Sequence, residues 1–174
     1  SPVDVEKHSI SPVEFLISIL LKVKSLGKKM SEVSLFIDNA LYENYRYKKN
    51  QDGTTITIIN YDGDEEKLEI PSMIDGLQVT AIGDNAFEGK KMISVKIPEG
   101  VITIGKHAFR GCINLEEITV PASVTKIEEY AFVNTAWMKV QEKKNPLVVV
   151  NGILIYGENC GKNIIIPKGY LYGS

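Results

Sequence analysis

The chain has 174 residues, 44% of them hydrophobic and 24% charged, which is the balance of a globular domain long enough to bury a core. A formal net charge of −2 at pH 7 argues against a nucleic-acid or anionic-membrane partner, because the lysine pairs are scattered and the acidic run 62–66 opposes them. The longest apolar run, Phe15 to Leu21, is interrupted by Ser18; it is far short of the ~20 residues that span a bilayer and lacks the flanks of a secretory leader.

In chain order, Ser11-Pro12-Val13-Glu14 reads as a capping box with proline at the first helical position. A helix is expected from Pro12 to Leu26, stopped by Gly27. Ser31 caps a second helix through about Tyr42, with Val33, Phe36, Ile37, Ala40 and Leu41 on one stripe. The first helix is apolar on nearly every side, so it must be covered. Two covers stay open: a helical cap over the rest of the chain, or self-association or a partner bound through these helices. Next, Tyr42 to Lys48 and Thr55 to Asn60 flank Asn50-Gln51-Asp52-Gly53, which predicts a β-hairpin covering an open sheet edge.

From residue 68 onward the chain repeats itself. Ala-Phe recurs at Ala86-Phe87, Ala108-Phe109 and Ala131-Phe132, at spacings of 108 − 86 = 22 and 131 − 108 = 23. Four residues before each alanine stands Ile82, Ile104 or Ile127, and three further back Val79, Val101 or Val124. A β-branched residue and a proline open each unit: Ile70-Pro71, Ile97-Pro98, Val120-Pro121, and again Ile166-Pro167 two periods later. A 22–23 residue period lies in the range of leucine-rich repeats, whose units supply one strand and a return segment each. Strands are expected at 68–70, 95–97 and 115–120, where apolar and polar residues alternate. The following proline removes a donor and ends each ladder. The return-segment Val, Ile, Ala and Phe then fill an interior that only stacked neighbours can complete. The first unit has five extra residues between Pro71 and Val79, including the turn dipeptide Asp75-Gly76, and an outward loop is expected there.

Residues 138–163 interrupt the period. Leu147 to Val150, Asn151-Gly152 and Ile153 to Tyr156 predict a second hairpin on a favoured turn dipeptide, and the insertion reads as a modified repeat. The chain opens on Ser1 and stops soon after Ile166-Pro167 without a further return segment, so an array continuing beyond this sequence is expected. The fold class is thus an α/β repeat: a short β-rich leucine-rich-repeat solenoid over 48–174, with a hairpin insertion at about 138–160, an N-terminal helical segment over 1–47 and a capping β-hairpin.

The pattern I-P-x-x-V-x-x-I-G-x-x-A-F-x-x-C-x-x-L, matched nearly throughout by Ile97-Pro98, Val101, Ile104-Gly105, Ala108-Phe109, Cys112 and Leu115, resembles the BspA-like leucine-rich repeat, the Treponema pallidum type, of bacterial surface proteins. The likeness covers 68–137 well and 164–167 in part. Glu128 departs from the repeat glycine, and Lys91 and Thr135 take the cysteine position of the first and third units. Family members carry a similar Trp-containing insertion, here beginning Thr135-Ala136-Trp137. The resemblance implies a secreted or cell-surface location and a role in adhesion, with host or neighbouring-cell proteins as ligands.

The residues themselves offer little chemistry. His107 stands beside Ala108 with no paired carboxylate in its repeat, which predicts a surface residue rather than a base. Cys112 takes a packing position; Cys160 lies in a glycine-rich turn, and two cysteines make neither a disulfide framework nor a metal site. Residues 62–66 lack the distal glutamate of a calcium loop, and no phosphate loop occurs. No catalytic residue, cofactor or metal is therefore expected. Alternation instead puts Lys67, Glu69, Ser94, Lys96, Glu117, Thr119, Asn163 and Ile165 on an exposed strand face, the candidate partner-binding surface. Two rivals stay open: an intracellular interaction module, and a carbohydrate-binding accessory domain, the latter disfavoured by a face poor in aromatics.

Overall fold

The computed structural model describes residue 21, residues 42–145 and residues 147–155. The expected N-terminal helices lie almost wholly outside the described residues, as do Asn163, Ile165 and Cys160. The chain divides into two units, Ser1–Glu43 and Asn44–Ser174; the architecture below belongs to the second.

Strands β1 (Tyr45–Lys49) and β2 (Thr55–Tyr61) pair antiparallel as the expected hairpin. The Asn50 and Asp62 N–H groups close its two ends on Thr55 O (2.9 Å) and Asn44 O (2.7 Å). Asp52 organises the turn: its carboxylate accepts from the Thr55 hydroxyl (2.6 Å) and from the N–H groups of Thr54 (2.7 Å) and Thr55 (2.8 Å). These bonds, the Thr55 hydroxyl foremost, hold the Asp52 carboxyl down from 3.8 to about 2. A depressed folded-state pKa stabilises above the unfolded value and ceases to do so as pH falls through the folded one. Wild type is therefore expected to lead Asp52→Ala in urea midpoint above about pH 4, and the lead to shrink as pH falls toward 2. A lead that stays constant over that window would show the carboxylate to be idle.

β2 then runs parallel to β5 (Leu77–Ile82), which opens a ladder continued by β7 (Thr103–Ile104) and β9 (Lys126–Ile127). A second parallel sheet holds β3 (Lys67–Glu69), β6 (Ser94–Lys96) and β8 (Glu117–Thr119). These three are the strands that the alternation predicts. The return segments, expected to fill the interior only, also form the strands of the first sheet, where Ala81, Thr103 and Lys126 pair in one row and Ile82, Ile104 and Ile127 in the next.

The Ala-Phe turns make a third ladder. Phe87 N–H donates to Ala108 O (2.8 Å) and Gly89 N–H to Arg110 O (2.8 Å); one coil on, Phe109 donates to Ala131 O (2.7 Å) and Gly111 to Val133 O (2.9 Å). The coil sections are thus hydrogen-bonded to one another on three sides. To reach this geometry the backbone turns left-handed twice per coil. The first place is Asn85, His107 and Tyr130, at φ 58°, 57° and 58°; the second is Gly89, Gly111 and Asn134, at 69°, 70° and 62°. Asn and Gly tolerate this region, whereas His107 and Tyr130 bear its steric cost of roughly 1–2 kcal/mol each.

Inside, Val79, Ile82, Ala86 and Phe87, then Val101, Ile104, Ala108 and Phe109, are buried to 1% exposure or less. The phenylalanines stack: Phe87 and Phe109 centroids lie 5.1 Å apart at 9°, Phe109 and Phe132 5.5 Å apart at 12°. Tyr61 and Tyr45 extend the column below, and Trp137 meets Phe132 edge-on at 5.6 Å above. Small alanine beside each ring lets the backbones approach closely enough for this stacking.

Three expectations need correction. The extra residues after Pro71 turn outward at the exposed Asp75-Gly76, both at positive φ, but as a strand pair rather than an open loop: β4 (Met73–Ile74) folds back on β5, and Ile74 is 1% exposed. An apolar residue was available to pin the excursion down. The cysteine position of the first coil belongs to Lys90, not Lys91. Lys90 N–H donates to Phe87 O as Cys112 does to Phe109 O and Thr135 to Phe132 O. Finally, the insertion starts as a helix, α1 (Ala136–Lys144), whose N-cap Thr135 accepts from Met138 N–H at 3.0 Å. Only then comes the predicted hairpin, β10 (Val148–Val150) and β11 (Ile153–Ile155), turning at Asn151-Gly152.

Candidate functional site

The described residues contain no group of three or more His, Cys, Asp or Glu gathered as a metal would require. His107 lies half-buried with its ring against Tyr130, centroids 5.7 Å apart. Cys112 is fully buried, and its Sγ donates to Phe87 O at 3.0 Å. Burial pushes its thiol up to about 11, the opposite of what a nucleophile needs. In a Cys160→Ser background, Cys112 is expected to resist an alkylating reagent in the folded chain and to react fully in urea. Equal rates in both would contradict its burial.

The strand face is ordered by the register of the second sheet. Lys67, Ser94 and Glu117 stand opposite one another in one row, and Glu69, Lys96 and Thr119 in the next. The buried Leu68 and Val95 and the half-buried Ile118 point inward between them. Ser94 is half-exposed and the other five are exposed. Asn163 and Ile165, expected on the same face, lie outside the described residues. Lys96 and Glu69 approach to 3.5 Å with side chains 60% and 77% exposed. Such a pair contributes only ~0–1 kcal/mol, so both charges can turn to a ligand at little cost.

Sequence reasoning missed two apolar residues on the connections entering these strands, Ile93 and Ile113, which are 38% and 65% exposed. Ile93 is fixed by its N–H bond to Glu66 O (2.7 Å). Their apolar character gave no warning, since isoleucine is the commonest interior residue of this chain. On the turn side, Arg110–Glu88 (3.5 Å) and Lys106–Glu129 (3.3 Å) pair opposite charges of successive coils at the same exposed, weakly stabilising level.

Stacked coils with two parallel sheets, a turn ladder and an interior aromatic column define a leucine-rich-repeat solenoid. The family model for the BspA type leucine rich repeat region, described as six copies, matches residues 80–169, more than half of the chain. The chain belongs to that family. It is similar to the Treponema pallidum leucine rich repeat protein, at 34% identity and TM-score 0.52, over 53% of this chain and 44% of that one. A leucine rich cell surface protein from Faecalibacterium prausnitzii A2-165 is 35% identical with TM-score 0.49, over 52% of this chain and 26% of that one. The chain thus spans less than half the length of either solved structure. No curated protein matches it. Leucine-rich-repeat proteins of this kind generally serve as protein-binding scaffolds and are typically not enzymes. Among the described residues no helix is long and apolar enough to cross a membrane.

Proposed function

We propose that this coil is the protein-binding scaffold of a secreted or cell-surface bacterial protein, adhesive toward host or neighbouring-cell proteins. Its contact surface is the face of Lys67, Glu69, Ser94, Lys96, Glu117 and Thr119, continued by Asn163 and Ile165. The observation that carries this reading is the pair of in-register, largely exposed rows on a parallel sheet. Family membership supports the scaffold role. The rows also display charges of both signs, which suits a polar protein surface better than a sugar ring. For the segment 1–47 the sequence supports a role as a helical cap or as a surface for self-association or a partner.

The size of the face sets its mode of action. Strands spaced ~4.8 Å apart make a narrow sheet, and a stable interface needs about 800 Å² per partner. Single contacts are therefore weak, and useful retention comes from many copies on one surface. Immobilised chain is expected to retain a ligand from matrix or serum protein panels. Reversing the face with Lys96→Glu and Glu117→Lys should weaken that retention roughly tenfold or more. Retention of glycans with failure of every protein panel would overturn the proposal.

A further inference from the structure

The chain contains one Asn-Gly dipeptide, Asn151-Gly152, the sequence most prone to spontaneous loss of the side-chain amide. Its surroundings are unusual for a hairpin tip. Hairpin tips ordinarily face water, but the Asn151 amide nitrogen donates back to Pro121 O at 2.7 Å and Val124 O at 3.3 Å. Both acceptors belong to the corner leading into β9. This one side chain therefore fastens the β10–β11 hairpin to the coil, alongside the burial of Val148 and Ile155, which are 6% and 4% exposed. Asn151 also sits at φ 51° and Gly152 at 79°, the pair of left-handed residues that a two-residue turn requires.

We propose that Asn151-Gly152 is a modification site, a latch that deamidation opens irreversibly. The Gly152 backbone nitrogen gives up its proton and attacks Asn151 Cγ. The new C–N bond closes a succinimide, the Cγ–Nδ2 bond breaks, and ammonia leaves with the proton. Water then opens the ring to aspartate or isoaspartate. In the latched state the departing nitrogen is held by two carbonyl oxygens, so the first step requires both bonds to break and is slow. Once the hairpin has lifted, the amide is free to react. The product places a carboxylate against two carbonyl oxygens with no proton to offer, and the hairpin does not relatch. The site thus converts a transient local opening into a lasting one.

Two measurements on the full chain test this. Deamidation at Asn151, read by peptide mass spectrometry after mildly alkaline incubation, is expected to be at least roughly tenfold slower in the native chain than in urea. Equal rates overturn the protective latch. Asn151→Asp keeps a dipeptide that favours the same turn, so the hairpin itself should form. At neutral pH, hydrogen exchange in 147–155 should rise about tenfold over wild type while 101–110 stays unchanged. Below about pH 4 the protonated carboxyl can again donate to a carbonyl, and part of the protection should return. Exchange in 147–155 that matches wild type at neutral pH overturns the proposal. So does a rise there that acid does not reverse.

Discussion

Phe109→Ala is expected to lower the unfolding free energy by about 3–5 kcal/mol, read from equilibrium urea denaturation. Phe109 is fully buried and has a near-parallel ring on each side. Truncation removes its transfer free energy, leaves a cavity between two coils and ends both stacking contacts, each worth roughly 0.5–1.5 kcal/mol beyond area. The three backbone ladders hold the coil spacing, so the neighbours cannot collapse into the gap. Phe109→Leu restores much of the volume without the ring and should cost substantially less. If the two variants cost the same, ring stacking outweighs volume; if Phe109→Ala costs under about 1 kcal/mol, the column is not continuous.

The second large effect lies at Gly105, and it comes from space. A Cβ there would stand 2.6 Å from Asp84 Oδ1, 2.7 Å from Asp84 N and 2.7 Å from Gly83 C. Two of these are main-chain atoms of the preceding coil and cannot swing aside. Gly105 N–H also donates to Ile82 O (2.8 Å), and Lys106 N–H to Asp84 Oδ1 (2.8 Å). Gly105→Ala must therefore push two coils apart and stretch both bonds, at about 1–3 kcal/mol. Gly111→Ala is the contrast: φ is +70° and the nearest atom lies 4.0 Å away, so its cost is the backbone term of ~1 kcal/mol. The discriminating measurement is hydrogen exchange at the Phe87 and Gly89 amides, which donate across the same seam to Ala108 O and Arg110 O. Gly105→Ala should speed it more than its effect on global stability explains, through local opening of the coil interface. Equal protection in both glycine variants would remove the clash as the cause.

Where a residue's type repeats with its role, the sequence spoke clearly. Phe87, Phe109 and Phe132 recur because each coil needs one large interior ring, and the prolines recur because each strand must stop. Asn151-Gly152 named its own turn. Other features carry no such mark. Nothing about histidine or tyrosine announces positive φ, so the alignment of His107 and Tyr130 with Asn85 emerges only from dihedral angles. The α1 segment hides because Thr135 stands in a repeat position while also capping a helix, and the periodic reading claimed it first. The pairs Thr103–Ile104 and Lys126–Ile127 are too short to show alternation by themselves; their pairing is imposed by the longer β5 beside them. On the candidate face, alternation placed Lys67, Glu69, Ser94, Lys96, Glu117 and Thr119 by register. It was silent on Ile93 and Ile113, whose exposure depends on where each connection crosses the coil edge.

The turn-ladder bonds between coils join residues 21 or 22 positions apart, as Phe87 to Ala108 is 21 and Phe109 to Ala131 is 22. Such a molecule has no fixed size built into it. Excising residues 98–120 would bring Pro121 to the place of Pro98 and leave a shorter coil with the same neighbours at every seam. Losing two or three residues would instead misalign everything downstream. Variation in this architecture is thus granular: whole turns can be gained or lost, as links are from a chain, while the reach of the molecule is tuned and its cross-section stays the same.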